Sequence, residues 1–231
     1  MTAALAPALL AVIAGNFAWP GALEVDGRAL AALPEAERPA AVERLVARQG
    51  IARAAPYLAP LLADPAPEVR VYVGRLLARA GDPRAIAAAL DWLTAPGRPP
   101  ADRTFALDLL GTAPALPPAA RRTLEQAVRD RDAGVRTRAL EALGRHEVGP
   151  SLAAVLGALD DDSREVRQQA VAVVAAAARQ GAAGAALATL PLLARLEDAD
   201  RQIQLGAVRA LGALRDPRAV PALVRVAAGE P

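Results

Sequence analysis

One short pattern returns along this chain at a nearly constant interval, and that interval restricts the fold more than any other feature. Glu68-Val69-Arg70 with Leu76-Leu77-Ala78 comes back as Gly134-Val135-Arg136 with Ala142-Leu143-Gly144, as Glu165-Val166-Arg167, and as Gln202-Ile203-Gln204 with Ala210-Leu211-Gly212. A degenerate copy, Asp102-Arg103-Thr104 leading to Leu109-Leu110-Gly111, falls between the first two. Aligned on positions 70, 103, 136, 167 and 204, the intervals are 33, 33, 31 and 37 residues, the length of one helical pair in a stacked array.

Each copy reads as a helix A, a tight turn, a helix B and an acidic loop. The spacing predicts A helices over 35–49, 67–80, 102–112, 133–145, 163–180 and 200–214, and B helices over 52–63, 83–95, 117–129, 150–159, 184–197 and 217–228. Helix starts are explicit at Asp82-Pro83-Arg84 and Asp216-Pro217-Arg218, where Asp can accept from a first-turn amide and Pro gives up an N–H that has no helical partner. Pro56 is expected in a first turn, and Pro60 and Pro191 as kinks or breaks. Val69, Val73, Leu76, Leu77 and Ala80, like Val135, Ala139 and Leu143, recur at helical spacing on a face that one hairpin cannot bury alone. The expected fold is therefore all-α: a right-handed α-solenoid of five to six stacked hairpins over 35–231, preceded by an N-terminal apolar helix and irregular capping segment over 1–34.

Composition agrees with closely approaching helices: 54% of the chain is hydrophobic but only 3% aromatic. The absence of Cys excludes disulfides and thiolate metal sites. All 27 basic residues are Arg against 25 acids, so the net charge is only +2, and no uncompensated basic stripe of the kind nucleic acid requires stands out. Residues 1–23 carry no charge, yet Pro7, Gly15, Asn16 and Pro20 interrupt them. A capping helix over 3–14 with Leu5, Leu9, Leu10 and Ile13 on one face is the preferred reading; a signal peptide ending near 14–18 is the alternative, and a membrane span is disfavoured. The expected compartment is cytoplasmic, or exported if 1–18 act as a signal.

The repeated residues resemble HEAT repeats of the short class named after phycobilisome-lyase HEAT-like repeats. The resemblance rests on Asp64-Pro65 with Glu68-Val69-Arg70, on Asp82-Pro83-Arg84-Ala85-Ile86, on Asp130 with Val135-Arg136, on Asp161 with Val166-Arg167, and on Asp216-Pro217-Arg218-Ala219-Val220-Pro221, and covers about 51–229. Gly97 stands where an acid is expected and Gln204 where an Arg is expected. The resemblance implies a protein-binding scaffold or adaptor, in some relatives an accessory subunit of a modifying enzyme, and in a few a DNA-binding surface.

Two sets of charged residues follow. Arg70, Arg103, Arg136 and Arg167 recur once per copy together with Asp64, Asp130 and Asp161, and are expected to form a structural ladder, each Arg pairing with the acid six residues earlier or with its equivalent in the adjacent copy. Arg84, Asp91, Arg122, Glu125, Arg129, Arg195, Arg218 and Arg225 fall on B helices and are the expected partner-binding residues. Asp160-Asp161-Asp162 lacks a calcium-loop pattern and reads as an acidic helix start, His146 as a solvated turn residue, and Ser151 and Ser163 as helix caps. Trp92, Tyr57, Tyr72 and Phe105 are core residues or, where exposed, partner anchors. No catalytic, metal or cofactor site is expected. The partner is expected to be a protein, and the apolar run Val220 to Ala228 suggests self-association through the C-terminal end.

Overall fold

In the computed structural model, Leu30 and residues 32–229 are described. The expected helix 3–14 and most of the 1–34 segment lie outside them. The described residues contain twelve α-helices and no strand, and the chain divides into two compact units, 1–85 and 86–231. The helices are α1 (Arg38–Gln49), α2 (Ile51–Leu58), α3 (Pro67–Arg79), α4 (Pro83–Thr94), α5 (Pro100–Thr112), α6 (Pro118–Ala127), α7 (Ala133–Gly144), α8 (Leu152–Gly157), α9 (Arg164–Arg179), α10 (Thr189–Ala194), α11 (Arg201–Leu214) and α12 (Val220–Ala228).

Their starts have the chemistry that the sequence predicts. Pro67, Pro83, Pro100 and Pro118 each open a helix, where the missing N–H has no helical acceptor to lose. Asp132 accepts from the Val135 amide at 3.0 Å, Asp200 from those of Gln202 and Ile203 at 2.8 and 3.2 Å, and Ser163 from Val166 at 3.5 Å. Asp82 and Asp216 each accept from the amide two residues on, at 2.9 Å.

The A helices are continuous, while several B helices are not. The run expected over 150–159 splits into a 3₁₀ turn at Gly149–Ser151, α8, and another at Ala158–Asp160, and that over 184–197 splits in the same manner around α10. Pro60 and Pro191 lie close to such junctions. Pro56 differs from expectation: it sits inside α2, in its second turn.

In the second unit α5, α7, α9 and α11 pack in succession, and small residues set their separation. A Cβ added to Gly111 would stand 3.0 Å from the Ala142 Cα, and one added to Gly206 would stand 2.7 Å from Val171 Cγ1. Val135, Ala139, Leu140 and Leu143 of α7 and Val166, Ala170 and Val174 of α9 have no exposed surface, which makes the repeated apolar face the core of this unit. In the first unit Val42, Leu58, Val73 and Leu77 are likewise fully buried, while Ala80, expected on that face, is exposed. The last helix, α12, holds no buried residue.

Candidate functional site

The charges separate into two populations. The first is a ladder with a repeating bond pattern. In the second unit, Arg136 donates through Nε and Nη2 to the two carboxylate oxygens of Asp161, each at 2.7 Å, and through Nη1 to the backbone carbonyl of Asp130 at 2.9 Å. Arg167 repeats this one copy later, with Asp198 at 2.8 and 3.2 Å and the Asp161 carbonyl at 3.0 Å. Gln204 closes the series, its amide donating to the Asp198 carbonyl at 2.7 Å. Every acid also accepts from the amide two residues on: Asp132 to Asp130 at 2.9 Å, Ser163 to Asp161 at 2.8 Å, Asp200 to Asp198 at 2.9 Å.

The pairing is thus with the acid of the next copy; the aspartate six residues earlier contributes its backbone carbonyl, not its carboxylate. The first unit has a related arrangement, with Arg38 reaching both oxygens of Asp64 through Nη1 alone, at 2.7 Å, and Arg70 on the Asp64 carbonyl at 2.7 Å. Sequence reasoning missed Arg38 and Asp198, although both stand one repeat length from recognised members. Arg103 is the weak rung: Nη1 meets Asp130 at 2.6 Å, while Nε and Nη2 are buried without a hydrogen-bond partner.

Electrostatics follow geometry. Burial pushes the Asp161 carboxyl up, but the bonds from Arg136 and the Ser163 amide outweigh it, and the group lies below the ordinary carboxylate value. The Arg167 bond, opposed by burial, holds Asp198 down as well.

The second population lies on the B helices. Asp91, Arg122, Arg129 and Arg225 are exposed. Arg84 and Arg218 are also exposed, but each grips its own capping aspartate, Asp82 at 2.7 Å and Asp216 at 2.5 Å. Glu125 and Arg195 instead serve contacts between copies: Glu125 accepts from Ser151 Oγ at 2.7 Å, and Arg195, 19% exposed, meets Asp160 at 2.8 Å and the Leu159 carbonyl at 3.1 Å. A cleft of about 350 Å³ opens between the end of α6 and α8, with Val128, Ala154, Gly157 and Ala158 among its walls.

Several residues singled out in the sequence belong to the fold. His146 is half-buried rather than solvated, because its Nε2 donates to the Leu110 carbonyl at 2.9 Å. Ser151 is buried and makes no cap. Trp92 is buried against Phe105 with ring centroids 5.6 Å apart, and the half-buried Tyr72 donates to Glu43 at 3.1 Å. Among the described residues no group of three or more acids or histidines is arranged to hold a metal ion, and no helix is long and apolar enough to cross a membrane.

Residues 203–229, the last copy, match the PBS lyase HEAT-like repeat. A designed armadillo repeat protein in complex with the peptide (KR)4 shares 20% identity at a TM-score of 0.58, covering 84% of this chain and 100% of its own. The chain has an armadillo-like α-solenoid fold, and its last copy is similar to a HEAT-like repeat. An engineered protein superposes at a TM-score of 0.52 with 18% identity over 91% of this chain and 96% of its own. A computationally designed armadillo repeat protein for modular peptide recognition does so at 0.54 with 20% identity over 84% and 100%. At these identities the likeness is one of fold. No curated protein matches it.

Proposed function

We propose that this repeat solenoid is a non-enzymatic binding scaffold that holds a protein partner along the B-helix face of its second unit. The division of charge carries the reading. Ladder arginines are half-buried and spent on bonds between copies, whereas Arg122, Arg129 and Arg225 are exposed and their guanidiniums bond to no described residue. Surface charge kept out of such bonds stays available to a partner at little cost in stability.

The same face changes character along the unit. Arg122, Ala153 and Leu190 each stand eight residues before a ladder aspartate and all are exposed, so the position runs from charged to apolar. Leu187, Leu190 and Val224 are 71%, 64% and 61% exposed. Exposed branched aliphatics on the last two B-helix segments, with the exposed Arg218 and Arg225 beside them in the chain, suit a protein surface with its own apolar and acidic groups. The designed armadillo neighbour carries a peptide, which supports a polypeptide ligand. The one histidine and both serines are engaged in contacts of the fold, which favours a non-enzymatic role.

The test is charge reversal at Arg122 and Arg225, which lie on α6 and α12. Co-purification and mass spectrometry identify the partner; Arg122→Glu with Arg225→Glu is expected to weaken its binding by about tenfold or more while the melting temperature moves by about 2 °C at most. Undiminished affinity in the double variant refutes the placement.

A further inference from the structure

Ala158 and Arg195 occupy the same position in consecutive copies, three residues before the ladder aspartates Asp161 and Asp198. Arg195 lies along the seam between its own copy and the one before. Its Nη1 donates to the Leu159 carbonyl at 3.1 Å and stands 3.5 Å from Asp198 Oδ2, and its Nη2 is 2.8 Å from Asp160 Oδ1. One seam earlier, Ala158 ends at Cβ, and the cleft of about 350 Å³ takes the place of the side chain. Val128, Arg129 and Asp161 line that cleft and are the equivalents of Leu159, Asp160 and Asp198. The empty seam is therefore the one that a guanidinium fills in the next copy.

The cleft retains the chemistry of the filled seam. Asp161 is bonded by Arg136 and the Ser163 amide as Asp198 is by Arg167 and the Asp200 amide, so the two carboxylates share these partners and differ in that Asp198 also meets Arg195. Ala154, Gly157 and Ala158 offer small apolar surface on which the methylenes of a long side chain can lie. One substitution redirects the head group: Arg129 replaces Asp160 at one corner, and carboxylates stand on the other side, where Asp162 and the 72% exposed Asp160, itself paired with Arg195, flank the opening. Of the four lining aspartates, Asp130, Asp160 and Asp161 are paired with Arg103, Arg195 and Arg136, and Asp162 at the opening stands outside these pairs.

We propose that this cleft receives an arginine side chain from the protein partner, in the manner in which Arg195 occupies the adjoining seam from within. The inference rests on the B-helix face being the partner surface and names the group the partner brings there. The planar fork of arginine presents donors in a fixed geometry that can engage a carboxylate and a carbonyl side by side, as Arg195 does, whereas lysine offers a compact point charge without that geometry.

The probes are N-acetyl-arginine amide and its uncharged isostere N-acetyl-citrulline amide, titrated into the full chain and followed by backbone amide NMR. Saturable shifts at Val128–Asp130 and Gly157–Asp162 are expected with the arginine probe, with affinity about tenfold weaker or worse for citrulline. Two variants fill the space. Ala158→Arg installs the arginine of the next copy, and Gly157→Leu adds an uncharged side chain at a site where a new Cβ meets nothing within 4 Å. Either folded variant should abolish the probe response and weaken the identified partner. Shifts that are absent, equal for both probes, or unchanged in Gly157→Leu overturn the proposal. If the charge-reversed face loses the partner while Gly157→Leu keeps it, the cleft assignment falls and the scaffold reading stands; if neither variant loses it, both fall.

Discussion

Arg136 reaches forward across one copy and closes a two-pronged bond on Asp161, with Nε and Nη2 each 2.7 Å from a carboxylate oxygen. The same side chain reaches back to its own loop through the Asp130 carbonyl, so one guanidinium fixes the spacing of two successive loops. A change at this residue acts on the junction between copies, not on either hairpin alone.

Arg136→Ala is expected to destabilise the fold by about 1–3 kcal/mol, because Asp161 keeps its partly buried charge and loses its partner. Arg103→Ala should cost less. Arg136 makes four hydrogen bonds and Arg103 one, and the alanine at 103 also removes two buried nitrogens that have no acceptor. Urea unfolding of the two variants side by side checks the order; an equal or larger loss at Arg103 contradicts it.

Acid should loosen the ladder. Asp161 and Asp198 are both held below the ordinary carboxylate value in the folded chain, so the stability they contribute is present above the unfolded value of about 3.9 and is lost as pH falls through the folded one. The urea midpoint should be flat from about pH 7 to about pH 5 and fall below about pH 4. Asp198→Asn should lower the plateau and flatten part of that fall.

Arg215 is the one described non-glycine residue with positive φ, at 52°, in the turn after α11. Gly81 fills the equivalent turn with φ 72°. Arg215→Gly should raise stability by about 1 kcal/mol, since the left-handed conformation costs an arginine more than a glycine. Thermal unfolding measures it, and a lower melting temperature contradicts it.

Tight stacking gives a prediction of opposite sign at Gly111. Any Cβ there falls 3.0 Å from the Ala142 backbone, which cannot rotate aside as a side chain would. Gly111→Val should lose about 1–3 kcal/mol from overpacking.

The A helices and their buried faces were legible because burial alternates at a strict period there: the expected 133–145 and 200–214 match Ala133–Gly144 and Arg201–Leu214. The B helices were less so. Their composition is helical throughout, but Ser151 gives its hydroxyl to Glu125 of the preceding copy and the chain turns 3₁₀ around it, a tertiary effect that local propensity does not encode. Among the surface residues, Arg122 and Arg195 look alike in one dimension. What separates them is that Arg195 meets Asp160, a residue of the copy before, and only the stacked form brings that carboxylate within reach.

The helix with no buried residue has a kinetic consequence. α12 is held chiefly through its lead-in turn, where Asp216 accepts from Thr189 Oγ1 at 2.7 Å and Arg218 reaches the Ala186 carbonyl at 3.3 Å. Detaching it exposes little apolar surface that was covered, so its opening is decoupled from the cooperative unfolding of the unit. Its amides should exchange with deuterium far ahead of those of α9, whose buried valines open only with the whole stack, and whatever ligand lies across Val220 and Val224 would announce itself by slowing that exchange first.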